Sequence, residues 1–175
     1  MRICWVTSDV WYSYLLRWLF NAETSHVGSI FGEAVVDINR PVGKTYTARA
    51  WLTHYKIVWQ VELQLPPEQE ADLLAVVTKY AVGKPYDVKG YYFGMFCALL
   101  NKLFKIPFPK NNGLSEEGKD MCQEIVRPIL LYPLIAAQQL GLDPNILNKK
   151  TPDGVIALFK EATKNKPEWV WTHNA

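Results

Sequence analysis

The fold is decided by the segment SHVGSIFGEAVVDI, residues 25–38. Residues 26–30 and 33–38 form two largely apolar runs, and Phe31-Gly32 is a two-residue connection between them. Glycine adopts the positive backbone φ that tight hairpin turns require. The segment therefore predicts two antiparallel strands that are joined as a β-hairpin.

This predicted hairpin brings a histidine and a carboxylate to one face of the sheet. With Phe31-Gly32 as the loop, Ile30 pairs with Glu33, and counting back along both strands pairs His26 with Asp37. Directly opposed residues lie roughly 4.5–5.5 Å apart at Cβ, so the carboxylate can accept a hydrogen bond from the imidazole. That bond would fix the tautomer and leave the other ring nitrogen for a thiol. A slip of one residue would move Asp37 to the opposite face.

The remaining sequence alternates further strand and helix signals. Strands are predicted at 2–6, 46–51, 56–65 and 169–172. Helices are predicted at 11–21, at 66–83, at 91–104, from Asp120 onward and from Thr151-Pro152 onward. Trp11, Tyr14, Leu15, Trp18 and Leu19 follow the spacing of one face of an amphipathic helix. The pattern predicts a single α+β domain over residues 1–175, in which an antiparallel sheet packs against helices.

Composition and charge exclude several functions. The formal net charge is +2 with no basic stripe, so nucleic acid is not an expected partner. The longest apolar run, 129–137, is far shorter than the ~20 residues that cross a bilayer. The N-terminus turns polar at residues 7–9, so we expect no secretion signal and a cytoplasmic protein. Three cysteines without C-x-x-C spacing favour neither a disulfide scaffold nor a metal site, and no cofactor is expected.

Cys122 is the first candidate for chemistry. The run Asp120-Met121-Cys122-Gln123 has capping-box spacing, which would put the cysteine in the first turn of a helix. Unpaired N–H groups and the positive end of the helix dipole favour a thiolate there. The alternative is structural, because Cys122 also begins an apolar stripe that continues through 125–126 and 129–130.

His26 is the second candidate, and the chain has only two other histidines. His173 lies near the C-terminus, and His54 follows a predicted strand in a turn. A lone histidine in a strand is commonly structural. A base at His26 would nevertheless complete the set that thiol catalysis requires: a nucleophile, a base and an orienting group.

These residues resemble a known family. The matching stretches are TSD (7–9), TSHVG (24–28), VVD (35–37), GKPYD (83–87), DMCQEIV (120–126) and Thr151-Pro152. The chain resembles the circularly permuted branch of the NlpC-type papain-fold superfamily, which is related to the lecithin:retinol acyltransferase-like proteins. Small members occur in bacteria and bacteriophages. In ordinary members the cysteine precedes the histidine, whereas here His26 precedes Cys122.

The resemblance implies a papain-like fold and a role for each matching residue. It implies a nucleophile at Cys122, a base at His26 and an orienting residue at Asp37. Tyr86 would shape the oxyanion site or the substrate pocket, and Asp87 would brace its loop. Relatives commonly carry Ser directly after the cysteine, where this chain has Gln123.

The function implied is that of a cysteine hydrolase, a peptidase or amidase that forms an acyl-enzyme thioester. Cell-wall peptide or another amide is the expected substrate. Two alternatives stay open: a thiol acyltransferase or thioesterase that acts on lipid-type acyl groups, and a non-catalytic binding or assembly module. The irregular stretch 105–118 is a candidate lid or cleft wall.

Overall fold

The computed structural model describes residues 1–39, 41–107, 126–136, 140–143 and 151–174. In chain order the elements are β1 (Arg2–Thr7), α1 (Trp11–Phe20), β2 (His26–Phe31), β3 (Ala34–Asp37), β4 (Lys44–Thr47), α2 (Ala48–Leu52), β5 (Lys56–Leu63), α3 (Pro67–Ala81), α4 (Val88–Phe104), α5 (Val126–Leu131), α6 (Pro133–Ala136), α7 (Pro152–Thr163) and β6 (Trp169–His173). The expected α+β class is confirmed. Among these helices none is long and apolar enough to cross a membrane.

The strands form one six-stranded sheet in the order β4-β3-β2-β1-β5-β6, and every neighbouring pair is antiparallel. The first strand of the chain thus lies inside the sheet, where β2 and β5 cover both of its edges. The Met1 amino group donates to the carbonyl of Leu63 and forms an ion pair with Glu70 at 3.1 Å. These contacts anchor the chain start against β5 and α3.

Two apolar cores lie on opposite faces of the sheet because side chains alternate along each strand. The larger core packs α3, α5 and α7 against strand residues such as Trp5 and Val27. The smaller core lies on the other face, where Trp51 of α2 covers a short list of strand residues. That list is Cys4, Val6, Ile30 and Val35. His26 and Asp37 share the alternation of this second set, so both belong to the α2 face.

The predicted pairing of the hairpin was wrong by one residue on each strand. Phe31 pairs with Ala34, and the two-residue turn is Gly32-Glu33 rather than Phe31-Gly32. Gly32 has a φ of 53°, and a turn with glycine in its first central position is well suited to hairpins. Each strand is displaced by one residue relative to the turn, so the partner of any residue changes by two positions. An even change leaves every side chain on its original face, and His26 and Asp37 therefore keep a common face. They become diagonal neighbours, with Gly28 as the residue directly opposite Asp37 in this register.

Candidate functional site

A hydrogen-bonded histidine–aspartate pair lies on the α2 face of the sheet. His26 Nε2 and Asp37 Oδ1 are 2.5 Å apart, and both side chains are buried. The other carboxylate oxygen, Oδ2, accepts a hydrogen bond of 2.9 Å from Trp51 Nε1. A buried carboxylate is costly unless such donors replace water. Asp37 therefore has one oxygen directed at the imidazole and the other held by α2.

Gly28 makes room for the tryptophan that holds Asp37. A Cβ atom at position 28 would lie 2.6 Å from Cζ2 of Trp51, which is closer than such atoms approach one another. The indole ring can approach β2 this closely only because position 28 has no side chain. The glycine in the middle of a strand thus explains how Nε1 of Trp51 reaches the carboxylate on β3.

The imidazole ring is also held by an aromatic neighbour. Tyr55 lies between α2 and β5, and its ring stacks on His26 at a centroid distance of 5.2 Å and an angle of 19°. Tyr55 in turn packs on Trp51 at 4.8 Å. The Tyr55 hydroxyl accepts a hydrogen bond of 2.6 Å from Asn39 Nδ2. Ring contact and hydrogen bonding together restrict the rotation of the histidine.

His26 faces a small pocket of about 200 Å³. Its lining includes Ser25, Asn39, Tyr55, Tyr86 and Tyr91. Within the part of the chain that the structure describes, no Lys, Arg, Asp or Glu lines this pocket. The walls are aromatic and hydroxylated, which suits a neutral polar group with an apolar attachment.

The predicted Tyr86 lies in this pocket, and the loop before it is fastened to the chain after β3. Tyr86 N donates to the carbonyl of Pro41 at 3.1 Å, and Gly43 exchanges backbone hydrogen bonds with Gly83 and Lys84. A Cβ at Gly43 would lie 2.0 Å from the carbonyl oxygen of Ala81. The close approach of the two loops thus depends on glycine at position 43.

Asp87, which was expected to brace the loop, caps a helix. Its Oδ1 accepts a hydrogen bond of 2.9 Å from Gly90 N at the start of α4, and the side chain is buried. The carboxylate therefore points toward the first turn of α4. It connects the GKPYD loop to that helix and so supports the position of Tyr86 indirectly.

Cys122 lies outside the described residues, as does the predicted lid from residue 108 onward. The two cysteines that are described, Cys4 and Cys97, are both buried. Cys4 pairs with Gly28 across β1 and β2, and its burial raises the pKa of its thiol to about 12. Cys4 is therefore protonated at neutral pH and has no nucleophilic role near the pair.

The negative charge of Asp37 influences Tyr46, which lies on the edge strand β4. Tyr46 on β4 pairs with Val35 on β3. Burial raises the pKa of Tyr46 above its ordinary value, and the negative charge of Asp37 raises it further.

Over the described ranges, no group of three or more His, Cys, Asp or Glu side chains is placed to hold a metal ion.

Sequence reasoning missed Trp51, Tyr55 and Gly28 as parts of this site. Residues 46–51 were expected to form a strand, whereas the structure ends β4 at Thr47 and begins α2 at Ala48. The sequence feature that indicates the start of the helix is Thr47, whose hydroxyl accepts a hydrogen bond from Ala50 N and caps the helix. Good helix formers follow it, and these outweigh the strand preference of Tyr46 and Trp51.

Comparison with known proteins assigns no family. No protein-family model and no curated protein matches the chain. Among solved structures, the metalloprotein yiiX from Escherichia coli O157:H7, a DUF1105 protein, is similar with a TM-score of 0.48 and 14% identity. The likeness covers 99% of this chain and 96% of that chain. At this degree of similarity it carries no inference about the fold family, metal content or activity of the present protein.

Proposed function

We propose that this protein is a cysteine hydrolase with a papain-like fold of the circularly permuted NlpC type. Cys122 is the nucleophile, His26 the base and Asp37 the orienting residue. The observation that supports this most is the buried hydrogen bond of 2.5 Å between His26 Nε2 and Asp37 Oδ1 at the wall of a pocket. An imidazole held at one nitrogen presents the other in a fixed direction, as thiol activation requires.

In the proposed mechanism, Nδ1 of His26 accepts the proton of the Cys122 thiol, and the sulfur attacks a substrate carbonyl carbon. The carbonyl oxygen becomes an oxyanion, to which the Tyr86 hydroxyl donates a hydrogen bond. The imidazolium then returns its proton to the leaving amine, and the C–N bond breaks to leave a thioester. His26 next deprotonates a water molecule, which attacks the thioester. The products are a carboxylic acid and the restored thiol.

Asp37 has two functions in this mechanism. Its carboxylate accepts the Nε2 proton and so selects the tautomer in which Nδ1 is the base. It also stabilises the imidazolium that forms during each half of the reaction. The hydrogen bond from Trp51 keeps the carboxylate turned toward His26 through both steps.

The bond that is cleaved is proposed by resemblance to be a peptide or another amide. One observation favours a second candidate, acyl transfer or hydrolysis on lipid-type acyl groups. Tyr12, Tyr55, Tyr86 and Tyr91 give the pocket walls rich in uncharged aromatic side chains, and Leu16 adds an aliphatic one. A peptide groove with charged anchors would instead show acidic or basic side chains along its length.

A direct test is the pH dependence of Cys122 alkylation by iodoacetamide, followed peptide by peptide with mass spectrometry. An ordinary cysteine has a pKa well above 7 and reacts slowly below pH 7. We expect rapid labelling of Cys122 below pH 7, and its loss in His26→Ala. His54→Ala is the matched control, because His54 is exposed in a turn after α2 and should leave the profile unchanged.

Two results would reject the proposal. The first is an ordinary thiol profile that is the same in wild type and His26→Ala, which would favour a non-catalytic binding or assembly module. The second is a Cys122→Ala protein that still forms an acyl-enzyme with an activated ester. Cys4 and Cys97 provide internal references, because both are buried in the folded protein.

A further inference from the structure

Helix α4 exposes a stripe of large apolar side chains. Tyr92, Phe96, Leu99 and Leu103 follow one another at intervals of four, three and four residues, so they lie along one helical face. Their exposed fractions are 55%, 56%, 36% and 56%. The buried residues of the helix are the small ones, Gly90, Cys97 and Ala98. This is the reverse of the usual amphipathic pattern, in which the large apolar side chains are buried.

Helix α1 adds a second exposed stripe beside the first. Trp11, Tyr14 and Trp18 have the spacing of a single face and are 74%, 51% and 50% exposed. The sequence pattern had suggested a core-facing stripe, yet the buried residues of α1 are Ser13 and Leu19. The two helices pack side by side, and the Lys102 ammonium of α4 donates to the carbonyl of Trp18 and lies 4.4 Å from its ring centre.

Together these residues form what we call the α1–α4 surface. It consists of Trp11, Tyr14, Trp18, Tyr92, Phe96, Leu99, Leu103 and, at the end of α4, Phe104 and Ile106. Exposed apolar area on this scale costs free energy in water, roughly 25 cal/mol for each Å². Contiguous apolar surfaces on proteins commonly mark the place at which a partner or a membrane binds.

The charges around this surface indicate which occupant fits. Neither α1 nor α4 contains an Asp or Glu, whereas Arg17, Lys102 and Lys105 lie on or next to the two stripes. Asp9, which precedes α1 and accepts a hydrogen bond from the Tyr14 hydroxyl, is paired with Lys56. A second copy of the chain would bring like charges together across the interface. Anionic lipid headgroups would instead pair with these cations. Tryptophan and tyrosine are also the side chains that prefer the boundary between water and lipid.

We propose that the α1–α4 surface docks on the face of a bilayer that contains anionic phospholipid. The same helices form part of the His26 pocket, to which α1 contributes Tyr12 and Leu16 and α4 contributes Tyr91. Docking would hold the pocket mouth at the boundary between headgroups and acyl chains. The substrate class that follows is an acyl group of a membrane lipid or of a lipid-linked molecule, and this part rests on the proposed function.

The experiment is flotation of the full chain with vesicles of phosphatidylcholine alone and of phosphatidylcholine mixed equally with phosphatidylglycerol. We expect binding to the mixed vesicles that weakens as salt is added. Phe96→Ser and Leu103→Ser should each weaken binding by roughly tenfold, because each removes one inserted apolar side chain. Lys105→Gln should weaken it by about fivefold. The matched controls are Val76→Ser and Lys79→Gln, which change exposed residues of α3.

A second readout uses substitutions that keep the surface apolar and aromatic. Lipids with brominated acyl chains should quench part of the wild-type tryptophan fluorescence, and Trp11→Phe/Trp18→Phe should remove most of that quenching. The docking proposal is overturned if wild type does not float with the mixed vesicles, or if the α3 controls weaken binding as much as Phe96→Ser. It is also overturned if Phe96→Ser abolishes dimerisation or capture of a protein partner while vesicles do not bind.

The docking proposal and the hydrolase proposal can be rejected independently of each other. Cys122→Ala should bind vesicles as tightly as wild type, because Cys122 is not one of the residues that define the α1–α4 surface. A protein that docks but shows no activated thiol would reject only the hydrolase. A protein with an activated thiol that does not bind vesicles would reject only the docking.

Discussion

The indole ring of Trp51 fills the space in which a side chain at position 28 would lie. A Cβ added to Gly28 would be 2.6 Å from Cζ2 of this ring and 3.1 Å from Cη2. Trp51 is almost fully buried, and its Nε1 donates to the carboxylate of Asp37. A glycine on one strand therefore determines how a helix residue holds an acidic residue on another strand. The orientation of His26 depends on this chain of contacts.

Gly28→Ala should destabilise the protein and disturb the histidine. The new methyl group meets a rigid, buried ring, so Trp51 must move and its hydrogen bond to Asp37 lengthens. We expect the free energy of unfolding in urea to fall by about 1–3 kcal/mol. Gly94→Ala is the control, because no atom lies within 4 Å of a Cβ there. That change in helix α4 should raise stability by about 0.5–1 kcal/mol. Equal effects at both positions would contradict the contact described.

Asp37→Asn should preserve the fold and invert the tautomer of His26. Trp51 Nε1 donates to one side-chain oxygen of residue 37, so the amide must place its oxygen toward Trp51. Its NH₂ group then donates to Nε2 of His26, which forces the ring proton onto Nδ1. Such a ring cannot accept the thiol proton. We expect alkylation of Cys122 at pH 7 to slow by roughly 10²–10⁴-fold.

The tautomer itself can be observed by ¹⁵N NMR of the imidazole, which distinguishes protonated Nδ1 from protonated Nε2. Asp9→Asn is the control, because Asp9 is exposed and pairs with Lys56 on the surface, where such pairs contribute little. Wild-type alkylation in Asp37→Asn, with the Nε2 proton still present, would show that the carboxylate does not select the tautomer.

Local patterns in the sequence predicted several elements well. The helix expected after Pro66-Pro67 is confirmed as α3, and Leu73, Val77 and Ala81 of its apolar stripe are buried. Such a helix is specified by residues three and four positions apart, which lie together within one segment. The α+β class followed from similar local signals in the strands and helices.

Features that depend on contacts between residues far apart in the sequence could not be predicted from local patterns. The hairpin register depends on which position of the turn takes the positive φ, and that residue is Gly32 in the first central place. The exposure of Trp11 and Trp18 depends on how α1 is set against its neighbours rather than on periodicity. The contact of Trp51 with Asp37 joins elements that have no shared pattern in the sequence.

Cys4 should make stability depend on alkaline pH. Burial raises the pKa of its thiol from the ordinary 9.0 to about 12 in the folded protein. The unfolded chain therefore loses this proton first, and the stabilisation present below pH 9 is lost as pH rises toward 12. In this window the contribution falls by about 1.4 kcal/mol per pH unit. Cys4→Ala should be less stable at pH 8 because of its cavity, yet its stability should decline less steeply with pH.

Urea unfolding of both proteins between pH 8 and pH 11 measures this difference in slope. Other groups titrate in the same range in both proteins, so only the difference is assigned to Cys4. Parallel slopes would mean that the thiol is not held in a dry environment. In the folded protein at pH 8, iodoacetamide should also leave Cys4 unmodified, so labelling reports on the other cysteines.

Tyr86→Phe should separate a chemical role of the tyrosine hydroxyl from a packing role of its ring. Tyr86 and Tyr91 both line the His26 pocket, and their rings meet edge to face at 6.0 Å. The two substitutions remove the same atom from neighbouring positions. If the Tyr86 hydroxyl donates to the oxyanion, Tyr86→Phe should lower kcat for an activated acyl ester by about 100-fold with little change in KM. Tyr91→Phe should change kcat by only a few-fold. Equal losses in both variants, or a loss confined to KM, would assign Tyr86 to binding and leave the oxyanion to other donors.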